Sequence, residues 1–206
     1  MVVAGPTEHS ASAPFDDTPP LVQAVVDLET FALDRGWGVL LLASILIHDT
    51  GTPTMTTLRL KDYEPWQRGI RSDDSQLAKA IIAMLEPAHI IYAHNGARFD
   101  IPWLRSLALK YGLDWREKKL IDPCSVAWRK YRIGNNSLSA LADFLELPED
   151  KLHVSPDVWR KALMDDDIES WQTLQDRCES DVRLLNMVAG KITRDVGMIN
   201  TWGSGR

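Results

Sequence analysis

Two cysteines, Cys124 and Cys178, are too few in 206 residues for a disulfide framework, and free thiols in a reducing cytosol are the simplest reading. A run of about 18 apolar residues is also missing, which argues against a membrane-spanning helix. The longest apolar stretch, Val39 to Ile47, suits a buried strand instead. The first residues lack the basic and apolar regions of a secretory signal, so the expected location is cytoplasmic. Positive charge is in deficit, with 23 Lys and Arg against 29 Asp and Glu and a net charge of -6. That balance argues against a generally basic protein that coats nucleic acid, while leaving a local basic groove open. Internal repeats are absent, and compositional bias is confined to the beginning of the chain. What the chain does have is an ordinary soluble composition, 45% hydrophobic and 25% charged, and the length for one domain with a substantial core.

Residues 1–20, rich in Pro, Ser, Ala and Thr, show no period and read as a mobile leader. Leu21 to Leu28, Gly38 to Ile47 and Thr54 to Leu60 are strand-like. Turns at Asp34-Arg35-Gly36 and Asp49-Thr50-Gly51 join them into a meander. Ser75 to Glu86 then takes helical spacing through Leu77, Ile81, Ile82 and Leu85, and His89 to Ala93 is a short apolar strand. Further helices are predicted over Ala97 to Tyr111, Ser137 to Leu145 and Val158 to Met164, with a short strand at Lys119 to Ile121. Ile168 to Ile192 is the longest helical stretch, with Ile168, Trp171, Leu174, Cys178, Leu185 and Val188 on one face. A meander followed by alternating helices and strands points to a mixed sheet flanked by helices.

Several acids sit where burial is expected. Asp27 and Glu29 occupy alternate positions of a strand that opens Val25-Val26, so both side chains point to one side of the sheet. Asp100 stands in the opening turns of a helix, after the apolar strand and polar turn of Ile90 to Ala97. Asp181 falls on the apolar stripe of the last helix, three residues after Cys178. Unpaired buried charge is costly, so four such carboxylates suggest a divalent-metal site. A salt bridge to Arg177 is the plainer fate for Asp181, and a solvent-facing strand end the plainer one for Asp27 and Glu29. Between Arg98 and Arg132 the charge reverses sign: nine Lys and Arg stand against Asp100, Asp114, Glu117 and Asp122. That stretch is either a surface that tracks phosphates or a solvated helix and loop face.

Asp27-x-Glu29, His94-Asn95-Gly96-x-x-Phe99-Asp100-x-Pro102-x-Leu104 and Cys178-x-x-Asp181-Val182 together resemble the three motifs of the DEDD, or DnaQ-like, 3′-5′ exonuclease superfamily. The resemblance runs in the family's motif order from about Leu21 to Ala189. It implies an α/β, RNase H-like fold, a five-stranded mixed sheet built from a three-strand antiparallel meander plus parallel strands, with helices on both sides. On that reading residues 21–195 form the exonuclease domain and 196–206 a C-terminal tail. It also implies two Mg²⁺ or Mn²⁺ ions held by Asp27, Glu29, Asp100 and Asp181. One ion would activate a water for attack on phosphorus while the other stabilises the leaving 3′ oxygen. Nucleoside 5′-monophosphates would be released from single-stranded 3′ ends, DNA favoured over RNA. Asn95, His94 and Phe99 are the expected substrate contacts, with turn, cap and core roles as their plainer alternatives.

One departure matters. The family places a Tyr four residues before the last Asp, or a His five before it, to handle the attacking water; here those positions are Arg177 and Asp176. Arginine stays protonated and is no general base, though it can bind a phosphate or tether Asp181. Three accounts follow: the ions suffice, His153 in the loop before the final helix serves as base, or hydrolysis is weak. The last makes the chain a nucleic-acid-binding or polymerase-accessory module of the same fold. Either way the expected partners are single-stranded DNA or RNA ends, and a proofreading role would need a separate polymerase, replication or repair protein.

Overall fold

The computed structural model describes residues 21–31, 38–148 and 152–195. The expected leader, the Asp34-Arg35-Gly36 turn and the expected C-terminal tail lie outside them. Five strands form one sheet in the order β3-β2-β1-β4-β5. The strands are β1 (Gln23–Phe31), β2 (Val39–His48), β3 (Thr54–Arg59), β4 (Ile90–Tyr92) and β5 (Lys119–Ile121). The first three pair antiparallel as a meander, whereas β4 and β5 run parallel to β1. This is the mixed sheet expected from the alternation of patterns along the chain.

Period-2 alternation explains how β1 is covered. Ala24, Val26 and Leu28 enter a core that includes Leu77, Ala78, Ile81, Trp103 and Leu104. Those residues come from α2 (Ser75–Leu85) and α3 (Asp100–Tyr111). Val25 points the other way, into a second core with Ala127, Leu138, Leu141, Val182, Leu185 and Val188. These belong to α4 (Pro123–Lys130), α5 (Leu138–Phe144) and α7 (Ile168–Asp195). With both faces of the sheet covered, the central strands are apolar nearly throughout, and Leu40 to Ile45 of β2 are buried without a break. The remaining helices, α1 (Glu64–Gln67) and α6 (Asp157–Arg160), are single turns.

Four differences from the sequence reading have physical causes. β1 continues three residues past Leu28, so Asp27 and Glu29 lie within a paired strand, next to a register shift between Glu29 and Thr30. Such irregularities re-aim side chains where a strand leaves its ladder. The helix expected from Ala97 starts at Asp100, because Asn95 takes a left-handed φ of 56° and the chain must turn first. Val158 to Met164 is two pieces, α6 followed by a π-helical turn at Lys161–Asp165. Finally, α4 was not anticipated, although Asp122 before Pro123 is a strong helix start. The Asp122 side chain accepts from Cys124 N and Ser125 N, and proline fits the first helical turn, where its missing N–H costs nothing. Among the described residues no helix is long and apolar enough to cross a membrane.

Candidate metal centre and active site

β1 and α7 bring the outer motifs together. The odd-numbered residues of β1 face α7, and one oxygen each of Asp27, Glu29 and Asp181 lie within 4.8 Å of one another. Cys178, one helical turn before Asp181, places its thiol 3.3 Å from both the carbonyl and the carboxylate Oδ2 of Asp27. Burial and the neighbouring Asp27 and Glu29 push that thiol well above its usual range, so it stays protonated and donates.

Asp100 reaches the same end of the sheet from the first turn of α3. The approach depends on a tight turn at the end of β4. Asn95 N donates to Asp122 Oδ1 at 2.9 Å, and Asn95 O receives Arg98 N and Phe99 N. Gly96 follows, where a Cβ would stand 2.3 Å from the Ala93 Cβ, so only glycine lets the chain pass. Asp100 is 2% exposed. Its Oδ1 has no hydrogen-bond partner among the described residues. Burial raises its pKa to about 7, despite the opposing pull of the Asp100 and Leu28 backbone N–H groups.

Asp27 is the hub. Its residue surface is half-buried, yet its carboxyl is enclosed, and its pKa is pushed well up by burial first and then by Glu29, Asp100 and Asp181. Glu29 is also raised, chiefly by burial, with Arg177 and Trp159 working against the shift. Carboxyls that burial and one another hold toward the neutral form are a group in want of positive charge.

Part of that charge comes from the chain itself. Arg177 Nε donates to Glu29 Oε1 at 2.8 Å, Nη2 stands 3.6 Å from Asp181 Oδ2, and Nη1 donates to Leu152 O at 2.7 Å. The guanidinium lies 5.4 Å from the Trp159 ring centroid, and Trp159 Nε1 donates to Glu29 Oε2 at 2.9 Å. The position that departs from the family pattern is therefore inside the acid cluster, as an ion pair to two of its members. Trp159 is a direct partner of Glu29. The sequence carries no signal for this contact, which joins positions 130 apart.

The other expected residues scatter. Phe99 is half-buried, packed on Trp103 with ring centroids 6.3 Å apart. His94 is half-buried, and Asn95 is exposed in its turn conformation. His153 is exposed in the segment that supplies the Leu152 carbonyl to Arg177, outside the compact acid group. Asp176 bonds Gln172, and Glu179 accepts from Thr57 and Gln175, so both turn away from the cluster. Part of the basic stretch is paired with acids: Arg105 with Glu117, Lys110 with Asp74, and Arg116 and Lys118 with Glu86.

A family described as the RNase_H superfamily matches residues 24–193, and the chain belongs to that family. Among solved structures it is similar to the family B DNA polymerase from the hyperthermophilic archaeon Pyrobaculum calidifontis. The TM-score is 0.67 at 15% identity, with 84% of this chain and 25% of that one covered. The chain thus spans about a quarter of the polymerase's length, and the likeness is one of fold. No curated protein sequence matches it.

Proposed function

We propose that the chain is a divalent-metal-dependent 3′-5′ exonuclease of the DEDD type, acting on single-stranded nucleic acid. The observation that carries this reading is the convergence of Asp27, Glu29 and Asp181 within 4.8 Å, with Asp100 buried beside them and electrostatically coupled to Asp27. The residues suit hard cations: all the donors are carboxylate oxygens, and Asp100 Oδ1 is buried with no hydrogen-bond partner among the described residues. Asp27, Glu29, Asp100 and Asp181 would hold the ions. Bound Mg²⁺ or Mn²⁺ would supply activation of water and stabilisation of the leaving oxygen.

The chain's own groups do the rest. Asp27, central to the cluster, orients whatever binds there, and Cys178 fixes its carboxylate. Arg177 cannot accept a proton. His153, exposed beside Leu152, is the side chain of that segment suited to take one from the attacking water. Trp128, 73% exposed on α4 next to exposed Arg129 and Lys130, offers the aromatic and cationic surface on which single strands stack. DNA ends are favoured over RNA ends, with nucleoside 5′-monophosphates as products.

A second reading, a binding or polymerase-accessory module with weak hydrolysis, draws on the ion pair of Arg177 with Glu29. Incubating 5′-labelled single-stranded DNA and RNA with Mg²⁺, Mn²⁺ or chelator separates the two. The exonuclease reading expects a metal-dependent ladder shortening from the 3′ end, reduced about a thousandfold or more in Asp100→Ala. Binding without a ladder at any metal concentration would favour the accessory module.

A further inference from the structure

We propose that Arg177 is a resident cation of the acid cluster and competes with a divalent ion for Glu29 and Asp181. With Arg177 seated, the centre takes one ion on the Asp27 and Asp100 side, and a second enters only as the guanidinium leaves. The inference rests on the metal-dependent reading of the site and sharpens it.

Glu29 is buried, and both its oxygens already accept short hydrogen bonds, Oε1 from Arg177 Nε at 2.8 Å and Oε2 from Trp159 Nε1 at 2.9 Å. Each of those oxygens keeps a second lone pair, but an ion that took one beside Arg177 would stand against the guanidinium's positive charge, so Glu29 is a weaker ligand while that donor stays. Asp181 Oδ2 shares the same guanidinium at 3.6 Å, so one planar fork spans two candidate ligands. The Arg177 side chain is only 17% exposed and is gripped from outside by the Leu152 carbonyl and the Trp159 ring. A long side chain held at three points is preorganised and surrenders its site less readily than a solvated arginine. By contrast, among the described residues Asp100 Oδ1 has no donor and the only side-chain bond to Asp27 is a thiol at 3.3 Å. Those two carboxylates are the open side of the centre.

Charge gives the same asymmetry. Four carboxylates and one guanidinium leave room for one divalent ion before the cluster approaches neutrality, and the second must displace the positive charge already present. When Arg177 leaves, it frees the Leu152 carbonyl and uncovers Trp159, and an incoming substrate phosphate offers it a new partner. Arg177 is in this sense a positioning residue that sets how many ions the centre holds before substrate arrives.

The test is Mn²⁺ titration of the full chain by calorimetry, with free Mn²⁺ followed by electron paramagnetic resonance, on wild type, Arg177→Gln and Arg177→Lys. The wild type is expected to bind one ion, with a second weaker by about tenfold or more. In Arg177→Gln the second ion tightens by about tenfold, since glutamine keeps a hydrogen-bonding stem without the charge. Arg177→Lys, which keeps the charge but loses the fork, is expected to fall between them, and it carries the test if the glutamine variant does not give a cooperative thermal transition. Identical ion number and affinity in all three chains would overturn the role of Arg177 while leaving a metal centre standing. No Mn²⁺ binding by any of them would overturn the metal-dependent reading together with it.

Discussion

The chain buries carboxylates in two kinds of place. Asp74 is fully buried, yet its Oδ2 accepts Leu40 N at 3.0 Å and its Oδ1 accepts the Tyr111 hydroxyl at 2.5 Å, with Lys110 Nζ at 3.5 Å. Asp122 is similar, with Oδ1 receiving Asn95 N and Cys124 N and Oδ2 receiving the Ser125 hydroxyl. Both staple the fold: Asp74 ties β2 to the end of α3, and Asp122 ties the turn after β4 to the start of α4. In the acid cluster, Asp27 has a thiol for a donor and three carboxylates for neighbours, and Asp100 Oδ1 has no hydrogen-bond partner among the described residues. Burial alone therefore does not mark a site in this protein. What separates the two regions is the donor inventory, complete at the staples and left short at the cluster, where a cation is needed.

Removing a staple is expected to have the larger cost. Asp74→Ala leaves the Leu40 N–H and the Tyr111 hydroxyl buried without acceptors, about 3 kcal/mol of stability, or a fall in Tm on the order of 10 °C. Tyr111 cannot escape by ionising, since burial and Asp74 push its hydroxyl up. Calorimetry in chelator checks this, and a loss under about 1 kcal/mol would erase the distinction between the regions. Removing a charge from the cluster should act in the opposite direction. Asp27→Asn relieves repulsion from Glu29, Asp100 and Asp181 and gives them an amide donor, so the metal-free protein should gain stability, read as a rise in Tm. The same variant should lose most of the stabilisation that Mn²⁺ gives the wild type. A variant destabilised in chelator, and still stabilised by Mn²⁺ as the wild type is, would mean that Asp27 is a staple like Asp74.

This contrast also explains what was legible from sequence. Alternation in β1 placed Asp27 and Glu29 on one face, and the helical stripe placed Asp181 beside Cys178, because local periodicity determines where a side chain points. A meander giving way to helix and strand alternation points to a mixed sheet flanked by helices, while the five strands are implied by the family resemblance and their order is seen only in the structure. Donor inventory is not local. The pairing of Arg177 with Asp181 one turn on is local and readable, but Trp159 meets Glu29, and Arg177 meets both Glu29 and Leu152, across long stretches of chain, so those partnerships emerge only in three dimensions. The partners of the basic stretch are equally non-local, since Glu86, which pairs with Arg116 and Lys118, lies outside it in sequence. Helix α4 is different: Asp122-Pro123 is readable as a cap and a first turn, but the helix is only eight residues long and buries just Pro123 and Ala127, so it leaves no apolar stripe to read.

The smallest expected effect tests the contrast without any substitution. Asp100 has an ordinary pKa of 3.8 and a folded value of about 7, so between those limits the folded chain holds a proton that the unfolded chain has released. Linkage then fixes the sign: the contribution is fully present below about pH 4 and is lost as pH rises through about 7. In chelator, stability should fall by about 1 kcal/mol between pH 6 and pH 8, read as Tm by calorimetry. Asp27 and Glu29 are shifted in the same direction and deepen the slope. Excess Mg²⁺ should flatten it, because an ion holds the carboxylates charged in the folded state and replaces the proton as the compensating cation. Asp74→Ala should keep the slope despite its lower Tm, and Asp27→Asn should reduce it. A profile equally flat with and without Mg²⁺ would mean that the cluster already has its full complement of donors, leaving Arg177 as the only cation it requires.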